Sequence, residues 1–154
     1  MRLLSAGLAL LVLTSAACSS GSDVTGPSST KPLPNGSMSA KFGGADWSAT
    51  ASVHASSTNG IIGVAGTDIN QTLAFALSAN APGTYNIGQL SATNAELTTT
   101  GGVVWVAGGN LGSGTITITS LTATAVAGTF SFNLVKNGGG ATISVTSGVF
   151  NIKL

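Results

Sequence analysis

The chain has 154 residues, of which 6% are charged, and its formal net charge is +1. So few basic residues cannot neutralise a run of phosphates, which argues against nucleic-acid binding and against a polybasic membrane patch. One cysteine excludes an intramolecular disulfide. The length predicts one folded domain, and the abundance of Gly, Ser, Thr and Val over Leu, Glu, Lys and Arg favours strands and tight turns.

Residues 1–17 have the three parts of an export signal. Arg2 supplies a positive amino-terminal region, residues 3–13 form an apolar stretch, and residues 15–17 are small, as a cleavage site requires. The apolar stretch is too short for a stable membrane span. Cleavage before Cys18 would remove Arg2 and leave four lysines against four acidic residues, so that the net charge becomes four minus four, or zero.

The lone cysteine directly follows these small residues, and Ser15-Ala16-Ala17-Cys18 resembles the lipobox of bacterial lipoproteins. The run departs from that pattern at Ser15, where leucine is usual. The resemblance implies that acyl chains such as palmitate are attached to the sulfur and the new amino terminus of Cys18, which anchors a protein without a spanning helix. In lipoprotein families with sorting signals, Asp directly after the cysteine marks retention in the inner membrane. Ser19 occupies that position here, so the resemblance implies the outer membrane as the expected location, in an organism that has one. The alternative is an ordinary cleaved signal in which Cys18 is incidental.

Residues 19–37 are dominated by Ser, Gly and Pro and contain two large apolar residues, Val24 and Leu33. Such a segment cannot bury enough surface to fold by itself, and as a loose coil it would span on the order of 24 Å. We therefore expect residues 18–37 to be a lipidated cysteine with a flexible tether. The alternative is a loop that packs on the domain.

From Met38 to Leu154 apolar and polar residues alternate in short runs, which is typical of strands with one buried and one solvated face. Phe130 and Phe132 share one parity and are expected in the core, as is Trp47. The phase of the alternation changes at Ser147-Gly148, which predicts a turn or bulge. The runs cover residues 38–42, 47–54, 61–67, 73–77, 85–87, 91–97, 103–106, 115–121, 126–134, 143–145 and 150–154.

Turn residues separate these runs, and Asn59-Gly60 is a strong signal for a two-residue hairpin. Short links between about ten strands favour an antiparallel meander. The sequence therefore predicts a single all-β domain over residues 38–154, forming a flattened barrel or, alternatively, a two-layer sandwich. Its surface would be rich in Ser and Thr and poor in charge, which protects sheet edges poorly, and a membrane tether would keep copies from aggregating.

Several short sequences in this domain carry a family resemblance. The opening run from Met38 to Ala49, MSAKFGGADWSA, looks like the start shared by a group of uncharacterised bacterial lipoproteins. Gly83-Thr84-Tyr85, GTITI at 114–118, GTFSF at 128–132 and SGVF at 147–150 follow in the order that this group shows. Gly43-Gly44 replaces the Asn-Gly turn that is usual there. The resemblance covers nearly all of the domain and implies an all-β domain behind a lipobox, without an activity or functional residues.

Candidate catalytic and metal-binding residues are sparse. His54, the one histidine, lies on the polar parity of its strand, and no Gly-x-Ser-x-Gly elbow accompanies it, so a solvated histidine is expected rather than a catalytic one. Asp68-Ile69-Asn70 resembles part of a calcium loop but has no third carboxylate, which favours an Asx turn. The glycine-rich run at 108–114 lacks the lysine of a phosphate loop and is expected to be a hairpin loop. We expect no cofactor and no metal.

The most informative aromatic residues are Trp105 and Tyr85, because rings exposed on a sheet can stack on sugars. The function that the sequence favours is a non-catalytic, lipid-anchored binding or structural domain of the cell envelope, attached to the membrane through Cys18. Two alternatives stay open: a carrier that encloses a small apolar ligand in a barrel, and a surface module for glycan binding or adhesion that uses Trp105 and Tyr85. An envelope hydrolase built on His54 is a weaker competitor.

Overall fold

A computed structural model describes residues 33–154, so Cys18 and the predicted signal and tether up to residue 32 lie outside the described residues. The all-β prediction is confirmed, with eleven strands in place of about ten. Within residues 33–154, no helix has the length and apolar character needed to cross a membrane. The strands are β1 Ser37–Phe42, β2 Ala45–Ser48, β3 Ser52–Thr58, β4 Ile61–Thr67, β5 Gln71–Ser78, β6 Gly83–Ile87, β7 Asn94–Thr99, β8 Val103–Ala107, β9 Ser113–Leu121, β10 Ala125–Lys136 and β11 Thr142–Lys153.

The strands pair antiparallel in one curled sheet that forms a half-barrel. Its main path runs β2-β1-β11-β10-β8-β7-β5-β4-β3. The sheet forks at β10, because this long strand pairs with β11 along one edge and with both β9 and β8 along the other. A side branch, β9 followed by β6, leaves the main path there.

The predicted change of phase in β11 is confirmed as a β-bulge. The register of β11 shifts by one residue against both β1 and β10 in the segment that contains Ser147, whose φ is 52°. One extra residue on a strand reverses the parity of everything that follows it. The bulge therefore lets Val145 on one side of it and Phe150 and Ile152 on the other point into the same core.

The concave inner face of the sheet carries the core, and the ring of Phe75 lies at its centre. Its centroid is 5.3 Å from that of Phe130, 5.8 Å from that of Phe132 and 5.4 Å from that of Phe150. Trp47 is also buried, as predicted, and stacks on Phe42 at a centroid distance of 4.8 Å. Aromatic pairs at these distances add to the stabilisation that comes from apolar burial.

Glycine stands directly opposite phenylalanine three times on β9, β10 and β11. A glycine leaves open the space that a Cβ would fill, and the ring of the opposing residue occupies it. A Cβ built at Gly148, for example, would lie well inside van der Waals contact of the Phe130 ring. The cross-strand pairs are Gly114 with Phe132, Gly128 with Phe150 and Gly148 with Phe130.

The prediction of one strand over residues 47–54 is wrong. The chain forms β2 and β3 there, with a break at residues 49–51, and these two strands end up at opposite ends of the main path. The alternation of apolar and polar residues continues through the break, so periodicity alone does not reveal it. In contrast, the predicted hairpin at Asn59-Gly60 is confirmed, with φ values of 51° and 76° that match a two-residue turn.

A strictly sequential meander is also not what forms. β5 pairs with β7 rather than β6, β8 pairs with β10 rather than β9, and β6 pairs with β9. The glycine-rich segment after β8 does form a tight turn, in which Gly108 and Leu111 exchange two backbone hydrogen bonds. It is not the loop of a β8–β9 hairpin as predicted, because β8 and β9 lie end to end along the same edge of β10. Gly112 passes so close to this edge that a Cβ there would lie 2.5 Å from the carbonyl oxygen of Asn133.

Candidate functional site: an open groove on the outer face

Tyr85, one of the two predicted glycan-binding rings, lies on β6 opposite Ile116 of β9. Directly opposed residues share a face of the sheet, and Ile116 is fully buried, so the Tyr85 ring lies on the inner face. The ring is half-buried and packs against the core. Its hydroxyl donates a hydrogen bond of 2.6 Å to the carbonyl oxygen of Ala81.

Trp105, the second predicted ring, lies on β8 opposite Leu97, which is also fully buried. The indole is therefore on the inner face too, half-buried against the core. The strands that carry Tyr85 and Trp105 are not paired, and within residues 33–154 no ring contact joins the two side chains. The structure thus does not bring them together in one site, and their role in ligand binding stays a prediction. The third predicted site residue, Cys18, lies outside the described residues.

The outer face of β3, β4, β5 and β7 instead forms an open depression of about 340 Å³, which we call the outer groove. Eight outward-pointing residues line it in two parallel rows that cross the four strands. The first row is His54, Ala65, Ala74 and Glu96, and the second is Ser56, Gly63, Ala76 and Asn94; within each row every residue is the direct cross-strand partner of the next.

The two middle strands make the floor of the outer groove, and they do so with the smallest side chains. Gly63 and Ala65 on β4, and Ala74 and Ala76 on β5, alternate with large buried residues such as Phe75. The large side chains face inward and fix the register. On the outer face the small side chains leave the surface of β4 and β5 recessed between the longer side chains of β3 and β7. The floor is therefore aliphatic and the backbone beneath it is close to the surface.

The outermost strands of the set make the two walls, which are polar. His54 and Ser56 rise from β3, while Asn94 and Glu96 rise from β7, and all four are exposed. Glu96 accepts a hydrogen bond of 3.1 Å from the hydroxyl of Thr98, two residues along the same face. Because three inter-strand spacings separate β3 from β7, the walls stand about 14 Å apart. His54 and Glu96 thus face each other across the groove without a direct hydrogen bond.

The other two carboxylates of the described chain are engaged elsewhere. Asp46 forms an ion pair with Lys41 on the neighbouring strand. The carboxylate of Asp68 accepts hydrogen bonds of 2.7 Å from the backbone N–H groups of Asn70 and Gln71, which confirms the predicted Asx turn. No group of three or more His, Cys, Asp or Glu residues between 33 and 154 is arranged to hold a metal ion.

The sequence indicated His54 as a candidate and did not reveal the groove that lies between His54 and Glu96. A signal was present, because the outward positions of β4 and β5 hold Gly and Ala, whereas those of β9 hold Thr115, Thr117 and Thr119. A run of small residues at outward positions on two adjacent strands indicates a depression in the surface of the sheet. Recognising it requires the knowledge that β7 follows β5 in the sheet, which the sequence did not supply.

Comparison with known families gives a match over nearly the whole described domain. Residues 34–152 match a family described as a domain of unknown function, DUF6252. The chain belongs to this family. The resemblance to an uncharacterised family is confirmed to that extent, and the match begins close to the start of β1 at Ser37. Neither a curated protein nor a solved structure similar to the chain was found.

Proposed function

We propose that this member of the DUF6252 family is a lipid-anchored, non-catalytic domain of the cell envelope that binds a neutral, hydroxyl-rich ligand, such as an envelope glycan, in the outer groove. The observation that carries the proposal is the combination of an aliphatic floor with polar walls in one open depression. Methyl groups suit the C–H faces of sugar rings, and the His, Ser, Asn and Glu side chains offer donors and acceptors to hydroxyl groups.

The charge of the groove supports a neutral ligand. Its eight residues include neither lysine nor arginine, and Glu96 is their one carboxylate. A phosphorylated or strongly acidic ligand would find no fixed cation to pair with it and would be repelled by Glu96. A neutral polyol meets neither obstacle.

The packing of the interior favours the outer surface over an internal cavity as the place for a ligand. A carrier of small apolar molecules would need open space among the inward-facing side chains. Leu73, Phe75, Ile116, Ile118, Phe130 and Phe132 occupy that region and are each no more than 4% exposed.

Membrane attachment complements a groove of this kind. The outward-pointing side chains of the outer groove include no aromatic ring, because Phe75, which lies beneath the floor, directs its ring into the core. Binding would therefore depend on hydrogen bonds and shallow apolar contacts and would be weak for one copy. Many copies held on one membrane by lipidated Cys18 would engage a polymeric ligand together, which raises the effective affinity without new contacts. The lipobox-like run and the Ser/Gly/Pro-rich segment behind it support the anchor.

The substitution Ala74→Leu tests the groove, because a larger side chain in the middle of the floor fills the depression without touching the core. We expect retention of the protein on chitin, a neutral and insoluble polymer of N-acetylglucosamine, to fall about tenfold, which corresponds to about 1.4 kcal/mol of binding free energy. Co-sedimentation of the purified protein with this glycan at increasing concentrations measures the effect.

Thr115→Leu is the matched control, since Thr115 is an outward residue on β9, away from the outer groove. This variant should bind as the unaltered chain does, and both variants should unfold at similar temperatures. Equal loss of binding in the two variants, or no retention of the unaltered chain, would argue against the proposal.

A further inference from the structure

The outer groove does not end at its β7 wall. A second depression, of about 200 Å³, lies on the far side of β7, and both Asn94 and Glu96 line the two depressions. The groove therefore continues across β7 onto the neighbouring strand. The residues that line the second depression lie on β7, on β8 and directly after β8: Asn94, Ala95, Glu96, Val106, Ala107 and Gly108.

The two rows of residues that line the outer groove both continue to β8. Val106 is the direct cross-strand partner of Glu96 and extends the first row. Gly108 extends the second row, because a Cβ built on it would lie 3.1 Å from that of Asn94. Between the rows lies the backbone of inward-pointing residues such as Phe75. The rows are two residues apart along each strand, which corresponds to about 7 Å.

The channel between these two rows crosses β3, β4, β5, β7 and β8, and we call it the cross-strand channel. Four inter-strand spacings make it about 19 Å long. At its β3 end it continues past Ala55 into a third depression, of about 380 Å³, and His54 lines both. The end of β11 forms the far wall there, with Ile152 and Lys153. The channel is therefore long and narrow, a shape that suits one extended chain.

We propose that the cross-strand channel binds one chain of a linear, neutral polysaccharide, several sugar units long, that lies across the strands. This inference rests on the proposed function and adds to it the length and the direction of the ligand. Polar side chains flank such a chain on both sides where it crosses the walls, His54 and Ser56 on β3 and Asn94 and Glu96 on β7. The rotatable linkages of a polysaccharide allow it to follow the curl of the sheet.

The section of the channel on β8 keeps the chemical character of the outer groove. Its residues after β7 are Val106, Ala107 and Gly108, which add no charge, so Glu96 is the one carboxylate between β3 and β8. The methyl groups of Val106 suit the C–H face of a sugar ring, as those of Ala74 do in the floor. A polyanion such as a nucleic acid would find no cation in this part of the channel.

A peptide suits the channel less well than a polysaccharide does. Extended peptides bind to sheets mainly by adding a strand to an exposed edge, through backbone hydrogen bonds. Along the channel, β4, β5 and β7 each pair with a strand on both sides, so their backbone N–H and C=O groups are engaged in ladders. A polysaccharide needs no backbone partner, because its hydroxyl groups bond to side chains.

The dependence of affinity on oligosaccharide length tests the inference. Chitobiose is short enough to lie between the two walls of the outer groove, whereas chitohexaose also reaches the section on β8. We expect the full chain, purified in detergent, to bind chitohexaose about tenfold more tightly than chitobiose, which corresponds to about 1.4 kcal/mol. This gain exceeds what the number of overlapping disaccharide positions in the longer ligand explains. Isothermal titration calorimetry measures both affinities.

Val106→Gln separates the section on β8 from the outer groove, because its long, uncharged side chain covers the second depression. We expect the affinity for chitohexaose to fall close to that for chitobiose, and the affinity for chitobiose to stay unchanged. Val104→Gln is the matched control, since Val104 points outward from the same strand, opposite Thr98, and lies outside the second depression. This variant should bind both ligands as the unaltered chain does, and both variants should unfold at similar temperatures.

The outcomes distinguish this inference from the proposed function. Equal affinity of the unaltered chain for the two ligands, or equal effects of Val106→Gln and Val104→Gln, would overturn the inference. The proposed function would still stand in that case if Ala74→Leu weakened the binding of both ligands. Absence of binding of either ligand to the unaltered chain would overturn both.

Discussion

Small residues serve two purposes in this sheet, according to the face on which they lie. On the inner face, Gly114, Gly128 and Gly148 leave room for the phenylalanine ring of the residue directly opposite. On the outer face, Gly63 and its alanine neighbours keep the floor of the outer groove low. A methyl group added on the inner face must displace a packed ring or backbone atom, whereas one added on the outer face meets solvent.

Gly128→Ala should be among the most damaging single-methyl changes in the domain. A Cβ at this position would lie 2.1 Å from the carbonyl oxygen of Thr117 and 2.9 Å from Cζ of Phe150. Backbone of a central strand cannot move away cheaply, so we expect the free energy of unfolding to fall by about 3 kcal/mol. Urea denaturation followed by tryptophan fluorescence measures this loss.

Gly63→Ala is the matched control, because it adds the same methyl group to a strand glycine on the opposite face. There the new Cβ would lie 3.4 Å from the hydroxyl of Ser56, which is ordinary contact. Alanine suits a strand better than glycine, so this variant should be more stable by about 0.5–1 kcal/mol. If the two substitutions had the same effect, the inner-face packing argument would be wrong.

At the scale of a single strand, the bulge in β11 depends on one residue in a left-handed conformation. Ser147 has a φ of 52°, which glycine adopts freely and a β-branched residue adopts at a cost. We expect Ser147→Gly to keep or slightly raise stability, and Ser147→Val to lower it by about 2 kcal/mol. Thermal and urea unfolding of the two variants measure the difference.

Ser144→Val provides the comparison within the same strand. Ser144 is exposed and has no positive φ, so valine there fits a regular strand and should cost nothing. A loss in Ser147→Val alone assigns the cost to the bulge. If both valine variants were equally stable, the left-handed conformation at Ser147 would not be what maintains the register.

The strands themselves were largely predictable, because apolar and polar residues alternate along each of them and so indicate one buried and one solvated face. The alternation around Phe130 and Phe132 predicted β10 correctly, and the phase change at Ser147-Gly148 predicted the bulge in β11 correctly. Pairing order was not predictable in the same way, because β6 pairs with β9 and β1 pairs with β11, and no local pattern identifies partners that lie so far along the chain. The outer groove was missed for this reason: His54 and Glu96 become neighbours across a surface only when β7 is placed beside β5.

At the scale of the whole molecule, the first and last strands of the domain pair with each other. β1 lies between β2 and β11, and the side-chain amide of Asn151 donates a hydrogen bond of 2.7 Å to the carbonyl oxygen of Leu33. A tether that pulls on residue 33 would therefore act on a strand that is hydrogen-bonded along both edges. This arrangement suits a domain anchored through its amino-terminal segment, because shear along a paired strand loads many hydrogen bonds together.

Cys18→Ser is the decisive change for the proposed anchor, because it removes the one thiol that can carry lipid. Each buried CH₂ group contributes about 0.8 kcal/mol to membrane binding, so loss of the acyl chains should move the protein from the membrane fraction to the soluble one and abolish labelling by radioactive palmitate. Ser19→Ala, one residue away, should change neither readout. Labelling that persisted in Cys18→Ser would place the lipid elsewhere. Unchanged partitioning of unlabelled protein would mean that something other than acylation holds the domain on the membrane.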